Sequence, residues 1–223
     1  MKAPRAGKVK TRLATAVGDA LAVEVYRAVT VAVMNATGPV DPGEFARLVC
    51  FAPPDAEAEI AAWLPGEALE AQASGDLGAR MDEAFMKSFH RGSKATVLIG
   101  SDCLSVDHAA VIAALAALDT ADVVLRAARD DGYTLIALKE RQRALFTEMP
   151  WSTGAVMAAT LARASAAGLR VEVHGPDSDL DTVDDLRAQL DVLAPHLGHP
   201  LERQVRQALH SPLAEGAISA SNA

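Results

Sequence analysis

Residues 95–103 read ATVLIGSDC. An unbroken apolar and β-branched run leads into a glycine, a serine and an aspartate. Such a run suits a strand buried on both faces of a parallel sheet better than a strand with one wet face. In open α/β sheets, ligands gather beyond the carboxyl ends of the strands. Asp102 therefore stands where a functional carboxylate is expected, although a turn or cap role would explain it equally well. Cys103 reads as packed rather than nucleophilic, because no pairing with a histidine is evident.

Upstream of this run, Gly18 to about Thr37 is a helix, with Leu21, Val25, Val29 and Val33 in register. Phe45–Phe51 (FARLVCF) is a β-rich run ending at Pro53–Pro54. Asp55 can cap a helix through Trp63. A short strand near Ala68–Ala71 precedes GDLG, and Asp76 opens a helix with Leu77, Met81, Ala84, Phe85 and Phe89 on one face. Downstream, Ser105 caps a helix through about Leu118. Asp122–Leu125 and Gly132–Leu138 (GYTLIAL) read as strands. A helix from about Thr153 to Ala167 stops at Gly168. Leu169–His174 is a strand, and Asp181–Leu193 a helix. The alternation predicts an α/β fold with a mostly parallel sheet covered on both faces. Residues 196–223 predict a short helix and a fraying Ala/Ser tail.

With 223 residues, half of them apolar, the chain can bury a large core. No apolar stretch reaches the roughly 18 residues of a membrane span, and no apolar leader segment follows the basic start. Cys50 and Cys103 do not read as a disulfide framework, so a reducing compartment, the cytoplasm, is expected. A formal charge of −8 argues against general nucleic-acid binding. No zinc-ligand spacing is present.

Against this acidic background, residues 1–13, MKAPRAGKVKTRL, carry five cations and no acid. Gly7-Lys8-Val9-Lys10-Thr11-Arg12 is suited to holding phosphate oxygens with backbone amides, Lys and Arg. It lacks the GxxxxGK[ST] of a P-loop, and a solvated basic terminus is the plain alternative. Asp179, Asp181, Asp184 and Asp185 crowd one short segment, and such carboxylates repel unless a cation or a helix N-terminus compensates. Capping by Asp181 or Thr182 would account for most of that pattern. Arg129-Asp130-Asp131-Gly132-Tyr133 joins two strands and carries a hairpin signal. Gln72–Met81 is a glycine-punctuated strand-to-helix joint.

The ordered set KAPRAGKVKTRL, GDLGARM, GSDC, DDGYTLIAL, PWST and DLDTVDDL resembles a bacterial glycosyltransferase-like family. That family contains selenodomain-associated and arsenosugar-biosynthesis transferases and was formerly a domain of unknown function. It is a branch of the GT-A, or nucleotide-diphospho-sugar transferase, superfamily, where molybdenum-cofactor and phospholactate guanylyltransferases also belong. The resemblance covers roughly residues 1–190. It implies a three-layer GT-A-like transferase domain over residues 1–195, with 196–223 as a C-terminal helix and tail.

By the same resemblance, Lys2, Gly7, Lys10, Thr11 and Arg12 form the nucleotide-phosphate loop. Asp102 and Asp181 are the metal carboxylates for Mg²⁺ or Mn²⁺. Asp130, Gly132 and Tyr133 lie near the acceptor or sugar, with Asp130 the candidate general base. The implied reaction moves a sugar from a nucleotide-sugar donor to a small-molecule acceptor. Two alternatives stand beside it: a nucleotidyltransferase releasing pyrophosphate, and a nucleotide-binding domain without catalysis. The resemblance also implies a first strand ahead of the basic loop, and Met1 stands where that strand would be ending. An upstream apolar strand of about five or six residues is expected if the start is misassigned or the chain trimmed; a degenerate copy is the other explanation. Leu104, Asp131 and Arg126-Ala127 depart from a usual proline, glycine and Gly-Pro, and the last two add charge on the presumed acceptor side.

Overall fold

A computed structural model describes residues 1–211. In chain order its elements are α1 (Thr11–Val17), α2 (Asp19–Ala36), β1 (Val49–Phe51), α3 (Glu57–Trp63), β2 (Leu69–Ala71), α4 (Leu77–His90), β3 (Thr96–Ile99), α5 (His108–Ala117), β4 (Val123–Ala128), β5 (Tyr133–Leu138), α6 (Val156–Ala166), β6 (Val171–Asp177) and α7 (Val183–Leu209). They form two compact units. The first takes Met1, 37–100 and 105–178; the second takes 2–36, 101–104 and the described residues from 179 on. Among the described residues, no helix is long and apolar enough to cross a membrane. The expected tail falls largely at 212–223, outside the described residues.

The first unit holds both sheets. β1 and β2 pair in parallel, and the other ladder runs β3-β5-β4-β6. β5 is antiparallel to β3 and β4, whereas β4 and β6 are parallel, so β5 alone runs against the rest of that ladder. Leu135, Ile136, Ala137 and Leu138 are all at most 1% exposed. Successive strand residues point to opposite faces, so both faces of the sheet are covered at β5. α4 and α5 pack against β3. Met81 and Phe85 of α4 enter a core with Val123, Leu125, Ile136, Leu138 and Phe146, where the Phe85 and Phe146 rings stack. Asp76 caps α4 as its sequence position predicts, accepting from the Ala79 amide at 2.8 Å. Leu77 stays exposed rather than joining that helix face.

Several elements differ from the sequence expectation in placement. β3 lies at the edge of its ladder, with β5 its one partner there and all four residues half-buried. The helix after GSDC begins later, capped by Asp107, whose side chain accepts from Ala110, and not by Ser105. Strand structure in FARLVCF is confined to Val49–Phe51. On the edge of β1 away from β2, Met1 donates its ammonium to the Cys50 carbonyl and accepts from the Ala52 amide.

The β4–β5 connection is the hairpin its Asp-Gly signal predicts. The Ala128 amide donates to Gly132, and the Gly132 amide to Asp130 Oδ1 at 3.2 Å. Asp131 takes φ 62°, a conformation glycine adopts without steric cost. Asp131→Gly is therefore expected to stabilise the protein by roughly 0.5 kcal/mol, read as a higher urea midpoint with an unchanged slope. A lower midpoint would mean that the carboxylate contributes more than the backbone strain costs. Next to this turn, Arg126 pairs with buried Asp177, which also accepts from the Thr134 hydroxyl at 3.4 Å. The Arg126 cation is thus neutralised within the sheet.

In the second unit, α1, α2 and α7 pack on one another. Val25, Val29 and Val33 are buried as their spacing predicts. α7 continues past Leu193 through Pro195 and breaks its helical geometry at Gly198, φ 68°. Thr182 caps it: its hydroxyl accepts from the Asp185 amide, and the Asp185 carboxylate accepts from the Thr182 amide.

Candidate functional site

Two acidic motifs distant in sequence meet in the second unit. The Leu180 amide donates to the Asp102 carbonyl at 3.1 Å, and the Leu180 side chain is fully buried. This bond ties the GSDC turn to the segment that enters α7. Asp102, Asp179 and Asp181 each offer a carboxylate oxygen, and these oxygens lie within 4.8 Å of one another. The other two acids of the run have separate work. Asp185 completes the cap, and Asp184 pairs with Arg187 one turn along the helix. The crowding seen in the sequence thus resolves into two carboxylates for the helix and two for the cluster.

Lys10 completes the cluster. The basic loop turns at Gly7, φ 69°, and Lys10 itself takes a left-handed conformation, φ 46° and ψ 44°, just before α1. That geometry turns its side chain inward. Its ammonium donates to Asp102 Oδ2 at 2.7 Å and Asp181 Oδ1 at 2.6 Å, with the side chain only 4% exposed. Burial alone would push the lysine pKa down; the two carboxylates outweigh it and hold the group above its ordinary value. Asp102 and Asp181 carry two negative charges against the single charge of the Lys10 ammonium. The donors are all hard oxygens, which suits Mg²⁺, Mn²⁺ or Ca²⁺ rather than a thiophilic metal. A cation already sits between two of them, in the form of Lys10. On both counts these residues fit a divalent ion.

The remaining loop residues are placed differently. The side chains of Thr11 and Arg12 are exposed on the first turn of α1. Lys2 is anchored through its backbone: its amide donates to the Tyr26 hydroxyl at 3.0 Å, which in turn donates to the Lys2 carbonyl at 2.9 Å. Burial pushes the Tyr26 pKa up, partly offset by the hydrogen bonds from Lys2 and Ser101. Asp130, Gly132 and Tyr133 belong to the hairpin of the first unit. Asp130 is exposed, while Tyr133 packs edge-on to Trp151 and its hydroxyl is buried. That burial raises the Tyr133 pKa well above its ordinary value.

Sequence reasoning missed Asp179 and Tyr26. The signal for Asp179 was available. Residues i and i+2 of an extended segment share a side, so the DLD of 179–181 presents both carboxylates together once Leu180 turns inward. Nothing local marks Tyr26, whose partner lies 24 residues away.

A family model described as "Uncharacterized protein conserved in bacteria (DUF2064)" matches residues 40–153, just over half the chain. The chain belongs to this family. The match spans GDLGARM, GSDC and DDGY, while the basic loop and DLDT fall outside it. No curated protein matches this DUF2064 chain. Among solved structures it is similar to a Desulfovibrio desulfuricans G20 protein provisionally assigned as a nucleotide-diphospho-sugar transferase. The two share 28% identity over 99% of this chain and 94% of the other, with a TM-score of 0.82. It is also similar in fold to 4-diphosphocytidyl-2C-methyl-D-erythritol synthase from Anaerococcus prevotii DSM 20548, at 14% identity over 76% and 89% of the two chains and a TM-score of 0.54. A CMP:2-keto-3-deoxy-manno-octonic acid synthetase complexed with CTP gives 13% identity over 87% and 96%, with a TM-score of 0.52. This DUF2064 protein has the α/β fold of the nucleotide-diphospho-sugar transferases.

Proposed function

We propose that the protein is a metal-dependent glycosyltransferase that takes a nucleotide-sugar donor and passes the sugar to a small-molecule acceptor. The observation that carries this reading is the cluster of Asp102, Asp179 and Asp181 around Lys10, beside an exposed basic turn. The neighbour provisionally assigned to nucleotide-diphospho-sugar transfer supports it, being alike over nearly the whole chain. Asp102, Asp179 and Asp181 would hold Mg²⁺ or Mn²⁺. Such an ion supplies positive charge to the donor diphosphate as the sugar–phosphate bond weakens. Arg12 offers a planar fork to phosphate oxygens, and Thr11 a hydroxyl beside it. Asp130 is the residue we assign to taking the acceptor proton, since its carboxylate is exposed and accepts from a turn amide.

The test is product analysis. With Mn²⁺ and a panel of nucleotide-sugars, the protein is expected to release nucleoside diphosphate, or monophosphate from a nucleoside-monophosphate sugar. Asp130→Asn, which keeps an acceptor for Gly132, is expected to cut turnover by about 100-fold or more. Pyrophosphate release from a nucleoside triphosphate, with every nucleotide-sugar left intact, would replace this reading with nucleotidyl transfer. Saturable nucleotide binding with no turnover of any donor would leave only the binding function.

A further inference from the structure

We propose that Lys10 is the resting counter-ion of the acidic cluster, and that its ammonium and a divalent cation are alternative occupants of the space between Asp102 and Asp181. The proposal rests on the carboxylates being a metal site, as argued above, and adds how that site is gated. Cation entry moves Lys10 out of the cluster, and the displaced ammonium becomes a ligand for an anionic donor. A donor phosphate and the metal therefore favour each other's binding.

Three observations carry this. The ammonium engages the two carboxylates at 2.7 and 2.6 Å, so it already uses the oxygens that a metal would use. Oxygen ligands approach Mg²⁺ at about 2.0–2.1 Å and Ca²⁺ at about 2.3–2.6 Å. An ion bound to the same two oxygens would overlap the ammonium and repel it. Second, the single charge of Lys10 faces both Asp102 and Asp181, so it neutralises that pair only in part. A divalent ion matches the charge better, which gives exchange a direction. Third, Lys10 has somewhere to go. Its stem is long and flexible, and Lys8, Thr11 and Arg12 around it are exposed, so an outward rotation places the ammonium in the basic turn. Without donor, the same lysine keeps the carboxylates together without a metal.

The experiment titrates Mn²⁺ into nucleotide-free protein and follows free Mn²⁺ by electron paramagnetic resonance. Lys10→Met removes the competing charge while keeping the stem's bulk. It is expected to bind Mn²⁺ about 30-fold more tightly than the unaltered protein, because the site's net ligand charge rises. Affinities equal within about twofold, with Asp102→Asn weakening both, would overturn the exchange and leave the metal site standing. No Mn²⁺ binding in any form, with or without nucleotide, would remove the metal site and this proposal with it.

A second measurement uses the unaltered protein, in case Lys10→Met does not fold. Acetylation of each lysine by an N-hydroxysuccinimide ester is read by peptide mass spectrometry. Lys10 is expected to be protected without metal and about tenfold more reactive with saturating Mn²⁺, while exposed Lys8 is unchanged. Protection of Lys10 that persists at saturating Mn²⁺ would show that the two cations coexist, and would overturn the proposal.

Discussion

Asp102→Asn is expected to abolish the rise in melting temperature that a nucleotide-sugar gives in the presence of Mn²⁺, and to lower turnover by about 10²–10³-fold, as loss of several kcal/mol of charge stabilisation would. The change is nearly isosteric. It removes one carboxylate from a cluster whose oxygens converge within 4.8 Å. Lys10 keeps Asp181 at 2.6 Å and so retains a charged partner in its buried position. The Asp102 carbonyl, which accepts from Leu180, is untouched. Stability without ligand should therefore fall little, and the loss should be specific to the metal and the donor. Thermal shifts with and without Mn²⁺, paired with a turnover assay, separate the two effects. Full metal dependence in the variant would mean that Asp102 serves the turn alone.

Gly78→Ala is expected to destabilise the protein by about 3 kcal/mol or more. Gly78 lies in GDLGARM, in the first turn of α4, and a Cβ there would stand 2.1 Å from the Phe146 carbonyl oxygen and 2.8 Å from Trp151 Nε1. Neither neighbour can yield cheaply. Phe146 is buried and stacked against Phe85 in the main core of its unit, and the Trp151 indole nitrogen is buried too. For a chain of this size, the cost corresponds to a fall in melting temperature of about 10 °C. A urea midpoint equal to that of the unaltered protein would show that the helix and the 146–151 segment can separate without loss. If the effect is as expected, this motif glycine serves helix packing.

Elements whose cause is local were legible in the sequence. Asp76 before an apolar stripe gave α4 its start, and the Asp-Gly step gave the hairpin its turn. Gly18 to Thr37 is helical almost to the residue, with α2 covering Asp19–Ala36. Placement that depends on distant chain was not legible. ATVLI reads as an interior strand because its side chains are apolar, yet which strands flank it is settled elsewhere, and β3 lies at the edge of its ladder. Between Gly100 and His108, Ser101, Asp102, Ser105 and Asp107 can all cap a helix, and local rules do not rank them. The oxygen that reaches a free amide is that of Asp107.

The candidate site divides in the same way. Asp102 and Asp181 were marked by strand-end position and motif order, and the structure brings them to one ammonium. Lys10 was read as a phosphate ligand. Its partners lie 92 and 171 residues away, so its place among carboxylates has no trace in its own neighbourhood. The four aspartates of 179–185 could be apportioned only once the cap was seen.

The backbone of Met1 has a practical consequence for anyone who purifies this protein. Its ammonium and carbonyl both bond to β1 on the side away from β2, so residues fused ahead of it start from that side of the strand. An affinity tag there is not a passive handle. A leader rich in valine or isoleucine would dock along β1, whereas one ending in glycine and proline would not propagate a strand. Two laboratories using different leaders would then be handling proteins with differently finished sheets, and their melting temperatures and yields would differ for a reason unrelated to the chemistry at Asp102.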